Sequence, residues 1–356
     1  MRAKVAEHAT LFYENGTVVW DDYLHHRQFA ISETAELLCR KFSTFTEVDE
    51  LLAPLAEEDQ TALRKVLEEL VEAGVLIVEG SPEHDAERGL LESWSSWGTS
   101  ARHFHFASRT LGDAEYQAAD EHDAVLETKL GTVPPPPPFR TLGGDPVALP
   151  ALPSSPGWGA VPVLDVLLAR QTTREFGAEQ LTLKQVGELF GVLAGPSPMR
   201  SRIGRSGTVF KTSPSGGGRH PVELYAHVRD VLDLADGWYH YDGLRHVLEP
   251  IGPAWSPDRI VEAAGDQEWV GQAPLVLAYT AVLERTRWRY DTSRAYRVVQ
   301  MDVGHLSQTA YLVATAMGLG VGFTAALRDE LVEQAIGCDA YHEAVLGMTV
   351  IGPLRK

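Results

Sequence analysis

The sequence predicts an α+β fold: a large domain of mixed helices and strands after about position 160, preceded by a small domain of short strands and three short helices. Three observations carry this reading. A long apolar helical stretch at about 302–317 lies between strand-like runs at 275–282 and 346–351. Two short strand-like pieces flank Asn15-Gly16 ahead of a helical pattern. Pro134 to Pro138 then separates the two regions with a segment suited to stiff polyproline II. A chain of 356 residues is also long for one core.

The zones follow in order. Residues 1–85 form the small, winged-helix-like domain. Its strands are expected at 10–13 and 17–23, around the turn. Helical periodicity covers 33–42, and Thr46, with Asp49 three residues on, is the expected N-cap of a second helix. Leu63, Val66, Leu67, Leu70 and Val71 mark a third helix, stopped by Gly74 and followed by the strand 75–78. Residues 86–160 read as a connector, aromatic at Trp94, Trp97, His103, Phe104, His105 and Phe106 and then rich in proline. Residues 161–356 are the catalytic domain. Helices are expected at 163–170 and 183–193, a strand at 221–228, a hairpin at 237–248 and a buried strand at 275–282. The long helix and a last strand complete it.

Composition excludes several classes. A formal net charge of −18 without any long Lys/Arg run argues against a nucleic-acid partner. No apolar run reaches the roughly 20 residues of a membrane helix, and residues 1–10 lack the apolar core of a secretory signal. No membrane role and cytoplasmic residence are therefore the expectations. Cys39 and Cys338 stand far apart with no metal-type spacing, so two free, packed thiols are expected and no metal site. In so acidic a chain an anionic cofactor needs local arginines.

Four motifs hold candidate chemistry. Arg170-Gln171-Thr172-Thr173-Arg174-Glu175-Phe176 places two arginines four apart with a hydroxyl between them. They can converge on one anion, although such pairs on a helix are commonly just solvated. Thr212 to Pro221 contains three consecutive glycines, whose bare backbone admits a flat ring or else forms a flexible loop. It is not a Walker loop, since no Gly-Lys-Ser/Thr follows. Met317-Gly318-Leu319-Gly320-Val321-Gly322-Phe323 is not a dinucleotide fingerprint either. Its glycines follow a helix, and Phe323 stands where the last glycine belongs, so a helix C-cap entering a strand is expected. In Asp302-Val303-Gly304-His305-Leu306-Ser307-Gln308 no second ligand completes a metal set, and a buried, hydrogen-bonded His305 is expected.

Taken together, these segments resemble the nitroreductase family, and within it the azoline dehydrogenases of thiazole- and oxazole-forming peptide pathways. The matching stretches are the Arg170–Phe176 segment, Pro214-Ser215-Gly216-Gly217-Gly218-Arg219-His220-Pro221-Val222-Glu223, Arg294-Ala295-Tyr296-Arg297, Asp302-Val303-Gly304-His305 and Met317-Gly318-Leu319-Gly320. The aromatic segment 94–110 is also similar to one preceding the catalytic domain there. The resemblance implies a central, antiparallel-rich sheet flanked by helices, and a homodimer with FMN at its interface. Arg170, Gln171, Thr172 and Arg174 would hold the phosphate and ribityl chain, with Arg355 a further phosphate contact. Pro214, Ser215 and Gly216 would reach the ring from the other subunit. A turn formed by Gly322, Phe323, Thr324 and Ala325 would lie near the ring.

The resembling family carries a Lys-Tyr pair shortly before Arg294, where this chain has Arg289-Tyr290. A lysine can release its proton; an arginine stays charged. Tyr290 and Arg289 are therefore the catalytic candidates, with Tyr290 moving the proton beside a fixed cation, unless both are plain loop residues. The function implied is FMN-dependent oxidation of thiazoline or oxazoline rings in a ribosomally made peptide. Its partners would be a modified precursor peptide and a cyclodehydratase complex. The small N-terminal domain is similar to leader-recognition domains, which suits peptide or partner docking. Two other readings remain: a flavin oxidoreductase acting on a small molecule or another peptide bond, and a non-catalytic scaffold subunit.

Overall fold

The computed structural model describes residues 1–116, 118–197 and 203–355. The chain divides into two compact units, Met1–Ala114 and Glu115–Lys356, so the line falls inside the stretch expected as connector.

In the first unit, β1 (Arg2–Val5) is followed by the hairpin β2 (Thr10–Glu14) and β3 (Thr17–Asp22), and then by β4 (Arg27–Ala30). Asn15 and Gly16 both take positive φ, 49° and 80°, the turn that matches strand twist. Ser32 Oγ caps α1 (Glu33–Lys41) by accepting from the Ala35 N–H. β5 (Thr46–Glu47), α2 (Val48–Leu52), α3 (Glu57–Glu72) and β6 (Leu76–Val78) follow. Thr46 is not the cap expected of it. It sits in β5, its hydroxyl turned back to the Lys41 and Thr44 carbonyls, and Glu47 precedes α2 without a side-chain cap. β1, which carries two cations in four residues, escaped the sequence reading, yet it lies between β5 and β6. Trp20, Phe42, Leu52 and Leu67 fill the core beneath. The aromatic segment is helical: α4 (Pro82–Ser93) and α5 (Gly98–Ala107) bring Trp94 against Trp97, His105 and Phe106.

The second unit opens with α6 (Ala119–Thr132), β7 (Val147–Ala148), α7 (Val163–Ala169), β8 (Leu181–Thr182) and α8 (Leu183–Leu193). Next come β9 (Val222–Val228), β10 (Val231–Leu232), β11 (Gly237–Asp242), β12 (Val247–Pro253), α9 (Pro257–Ala263) and α10 (Glu268–Gly271). It closes with β13 (Leu275–Val282), α11 (Leu283–Arg287), α12 (Arg294–Ala316), β14 (Leu319–Thr324), α13 (Asp329–Ile336) and β15 (Glu343–Pro353). Seven strands form one sheet in the order β14-β15-β13-β9-β11-β12-β7, antiparallel throughout.

Both faces of this sheet are covered. Along β13, Leu275, Leu277 and Tyr279 face one core with α8 and α12, while Val276 and Ala278 face the other with α9, α10 and α13. A strand apolar on both faces reads as a continuous run, which is why β13 was legible in the sequence. Helix α12 starts at Arg294, earlier than expected, and ends as predicted at Gly318, whose φ is 70°. Among the described residues no helix is long and apolar enough to cross a membrane.

Candidate functional site

Helix α12 organises the site. Toward its C-terminal end, the Tyr311 hydroxyl accepts the Phe323 N–H at 2.9 Å and pairs with Thr172 Oγ1 at 3.0 Å. This fixes the segment after α7 against β14. The Thr173 N–H donates to the Val321 carbonyl at 2.8 Å, and a Cβ on Gly322 would stand 3.0 Å from the Thr173 carbonyl and 2.6 Å from the Trp269 ring. The glycine pattern of β14 thus allows two backbones to close together. Arg170 lies over the Tyr311 ring and Arg174 over the Trp269 ring, at 5.5 and 5.8 Å. Gln171, Thr172 and Arg174 are exposed. Among the described residues neither Arg170 nor Arg174 has a carboxylate partner. Arg355 differs: it pairs with Glu175 at 2.7 Å, both side chains being exposed. Gly322, Phe323 and Thr324 belong to β14 rather than to a turn, and Ala325 follows the strand end.

Toward the N-terminal end of α12, buried Asp302 anchors the glycine loop. Its carboxylate accepts from Ser215 Oγ at 2.5 Å and from the Gly216 N–H at 3.3 Å. Two turns on, Thr309 Oγ1 meets Ser213 Oγ at 2.6 Å. Ser215 Oγ in turn accepts from the His220 N–H at 2.8 Å, closing the loop on itself. Burial raises the Asp302 carboxyl above its ordinary range, with the Ser215 and Gly216 bonds opposing. His305 was expected to be buried and is not. It is half-exposed, and Asp302 is the buried member of that motif, because the loop covers Asp302 and leaves His305 to solvent.

Tyr290 belongs with this loop. At Gly217, with φ 61°, an added Cβ would lie 2.4 Å from the Tyr290 hydroxyl oxygen, so the phenol rests on bare backbone. The Arg289 guanidinium lies 5.6 Å from the Tyr290 ring centroid. The sequence residues therefore form two groups within one chain: Arg170, Gln171, Thr172 and Arg174 with the end of β14, and Pro214, Ser215 and Gly216 with Tyr290. Asp302 and Tyr311 are about two and a half turns apart on α12, which puts the groups on opposite faces and roughly 13 Å apart along the axis.

Sequence reasoning missed the charges beneath the loop. Arg285, 2% exposed, ion-pairs with Glu223, which meets His240 Nε2 at 3.1 Å; His240 Nδ1 meets Glu249 at 2.9 Å. Burial alone would raise Glu223, but Arg285 and His240 overcome it and hold the carboxyl at about 2. Close packing draws the Lys211 ammonium down to about 8, and burial with Lys211 nearby takes His220 to about 3. These residues are scattered along the sequence on strands β9, β11 and β12, on helix α11 and in or just before the glycine loop, and only the tertiary fold brings them together.

Among known proteins, residues 167–352 match the nitroreductase family model. A nitroreductase-family protein of Methanocaldococcus jannaschii is 34% identical over 50% of this chain and 85% of its own. The trifolitoxin-processing protein TfxB of Rhizobium leguminosarum bv. trifolii is 33% identical over 40% of this chain and 39% of its own length. The microcin B17-processing protein McbC of Escherichia coli is 29% identical over 42% of this chain and 56% of its own length. The match begins inside α7 and ends in β15, taking in the arginine segment, the glycine loop and the whole of α12, and on that span this chain belongs to the nitroreductase family.

Proposed function

We propose that this chain is an FMN-dependent dehydrogenase that oxidises thiazoline or oxazoline rings to thiazoles or oxazoles in a ribosomally made peptide. The observation that carries it is the pair Arg170 and Arg174, flanking Thr172 and, among the described residues, without a carboxylate partner in a chain of net charge −18. Two unneutralised cations and a hydroxyl, all held by Tyr311, Trp269 and β14, fit a phosphate monoester. The peptide substrate is supported by the relatives that process trifolitoxin and microcin B17. The azoline substrate rests on the resemblance of the motifs.

Arg170, Gln171, Thr172 and Arg174 would hold the phosphate and ribityl chain, with Arg355 a further phosphate contact. Pro214, Ser215 and Gly216 offer the flat face for the ring. Gly322, Phe323, Thr324 and Ala325 would lie near the ring. When bound, FMN would supply the two-electron acceptor that oxidation of the azoline requires. Tyr290 would accept the acidic Cα proton as its own hydroxyl proton passes to solvent, with Arg289 beside the negative charge that develops. The two groups on opposite faces of α12 are best joined in a homodimer, each loop completing the partner's site. Val163, Leu164, Leu167 and Leu168 of α7 are exposed, at 71, 60, 48 and 78%, and supply an apolar face for that contact. A cyclodehydratase is the partner that makes the azoline, and residues 1–85 serve peptide or partner docking.

The test is direct. Purified protein should be yellow, and under anaerobic conditions an azoline-containing precursor peptide should bleach it while losing two hydrogens. Protein that stays colourless after reconstitution with FMN overturns the cofactor. Protein that holds FMN but is reduced only by a nicotinamide selects the small-molecule reading, which the arginine at position 289 favours.

A further inference from the structure

The first unit contains a cavity of about 810 Å³ that the proposed chemistry does not use. On its wall, His8, Asp22 and His25 bring one nitrogen or oxygen each within 4.8 Å of one another. His8 is 5% exposed, and among the described residues its buried Nε2 has no hydrogen-bond partner. That nitrogen faces Asp22 Oδ1 at 3.4 Å. Two ligands bound at about 2.1 Å around a tetrahedral ion stand about 3.4 Å apart. His25 Nδ1 lies 3.0 Å from the same Asp22 oxygen, and the His25 side chain is half-exposed at the cavity.

We propose that His8, Asp22 and His25 form a binding site for a divalent transition ion of the zinc type, with a fourth position open to the cavity. The surroundings are those of a ligand set rather than a chance cluster. Glu87 Oε1 meets His8 Nδ1 at 2.9 Å and accepts the His8 N–H at 3.2 Å, which holds the ring with Nε2 toward Asp22. Arg27 donates to Asp22 Oδ2 at 2.7 Å and the His25 N–H to Oδ1 at 3.3 Å, while His25 Nδ1 lies 2.8 and 3.0 Å from the two oxygens, so the carboxylate is held facing both imidazoles. The fold supplies the positions. Asp22 ends β3, His25 follows in the turn three residues on, and His8 comes from the link between β1 and β2. Spacing gave no sign of this, because His8 and Asp22 are brought together only by the pairing of β2 with β3. Three protein ligands leave one position for water or for a donor atom from whatever enters the cavity.

Equilibrium dialysis of the chelator-treated full chain against Zn²⁺, with metal measured by plasma mass spectrometry, tests the site. One equivalent per chain should bind, with a rise in melting temperature of the first unit. His25→Ala, at a half-exposed side chain whose loss leaves the fold intact, should weaken binding by tenfold or more. Glu87→Gln should weaken it less while all three ligands remain. Circular dichroism confirms folding of each variant. No saturable Zn²⁺ binding by the wild type overturns the proposal, as does unchanged affinity in folded His25→Ala. Neither result depends on the flavin site, which lies in the other unit.

Discussion

Replacing Tyr290 by Phe keeps the ring against Gly217 and removes only the hydroxyl. Peptide oxidation should fall about 100- to 10,000-fold while flavin content is unchanged; an unchanged rate in a single-turnover assay removes Tyr290 from the proton transfer. Arg289→Lys should retain activity, since a cation still lies beside the phenol. Arg174→Ala removes a charged contact to the phosphate, which costs on the order of 1.5–3 kcal/mol, so FMN affinity should drop tenfold or more by fluorescence titration. These residues were legible because each stands in a dense local motif. Asp302 was read only as a neighbour of His305, and Tyr311 was not singled out at all. Nothing local distinguishes a tyrosine that pins two segments from one that fills a core, and both segments lie far from it in sequence.

The glycine loop and α12 act as one element. Gly217→Ala meets two obstacles, a positive φ and the Tyr290 hydroxyl, so it should lower turnover and also cost about 1–3 kcal/mol in urea unfolding. Asp302→Ala strips the loop of two hydrogen bonds and should cost about 1–3 kcal/mol in urea unfolding. The charges under the loop give a pH dependence of fixed sign. The Glu223 carboxyl sits at about 2 in the folded chain against an ordinary 4.5, so its contribution is present above about pH 4.5 and is lost as pH falls toward 2. His220, at about 3 against 6.5, acts in the same direction below pH 6.5, because the unfolded chain takes the proton first. Melting temperature should therefore decline on the acid side, and Glu223→Gln should flatten that decline. Elements with a local signal were found in the sequence: the Asn15-Gly16 hairpin, the run of β13 and the end of α12 at Gly318. The helix α5 was not, because histidine and phenylalanine obscured its periodicity, nor was α4, a mostly polar helix whose buried residue is Glu87, and the short strand β1 depends on partners far along the chain.

At the scale of the whole molecule, the chain truncated before Glu115 should keep FMN and sediment as a dimer through α7. It should act poorly on a full-length precursor yet be reduced normally by dithionite; equal losses in both assays would give the first unit a purely structural part. The placement of the two residue groups on opposite faces of α12 has a genetic consequence. If each site takes its arginines from one chain and its loop and tyrosine from the other, Tyr290→Phe homodimers, and Arg174→Ala homodimers held at FMN concentrations too low to fill their weakened sites, are both nearly inactive. A mixed dimer, however, contains one site with both defects and one with neither. Unfolding and refolding the two inactive proteins together should therefore restore activity, up to about one site in four for random pairing in a closed twofold dimer. Two chains that each fail alone would complement one another, and sites built within single chains would show no such rescue.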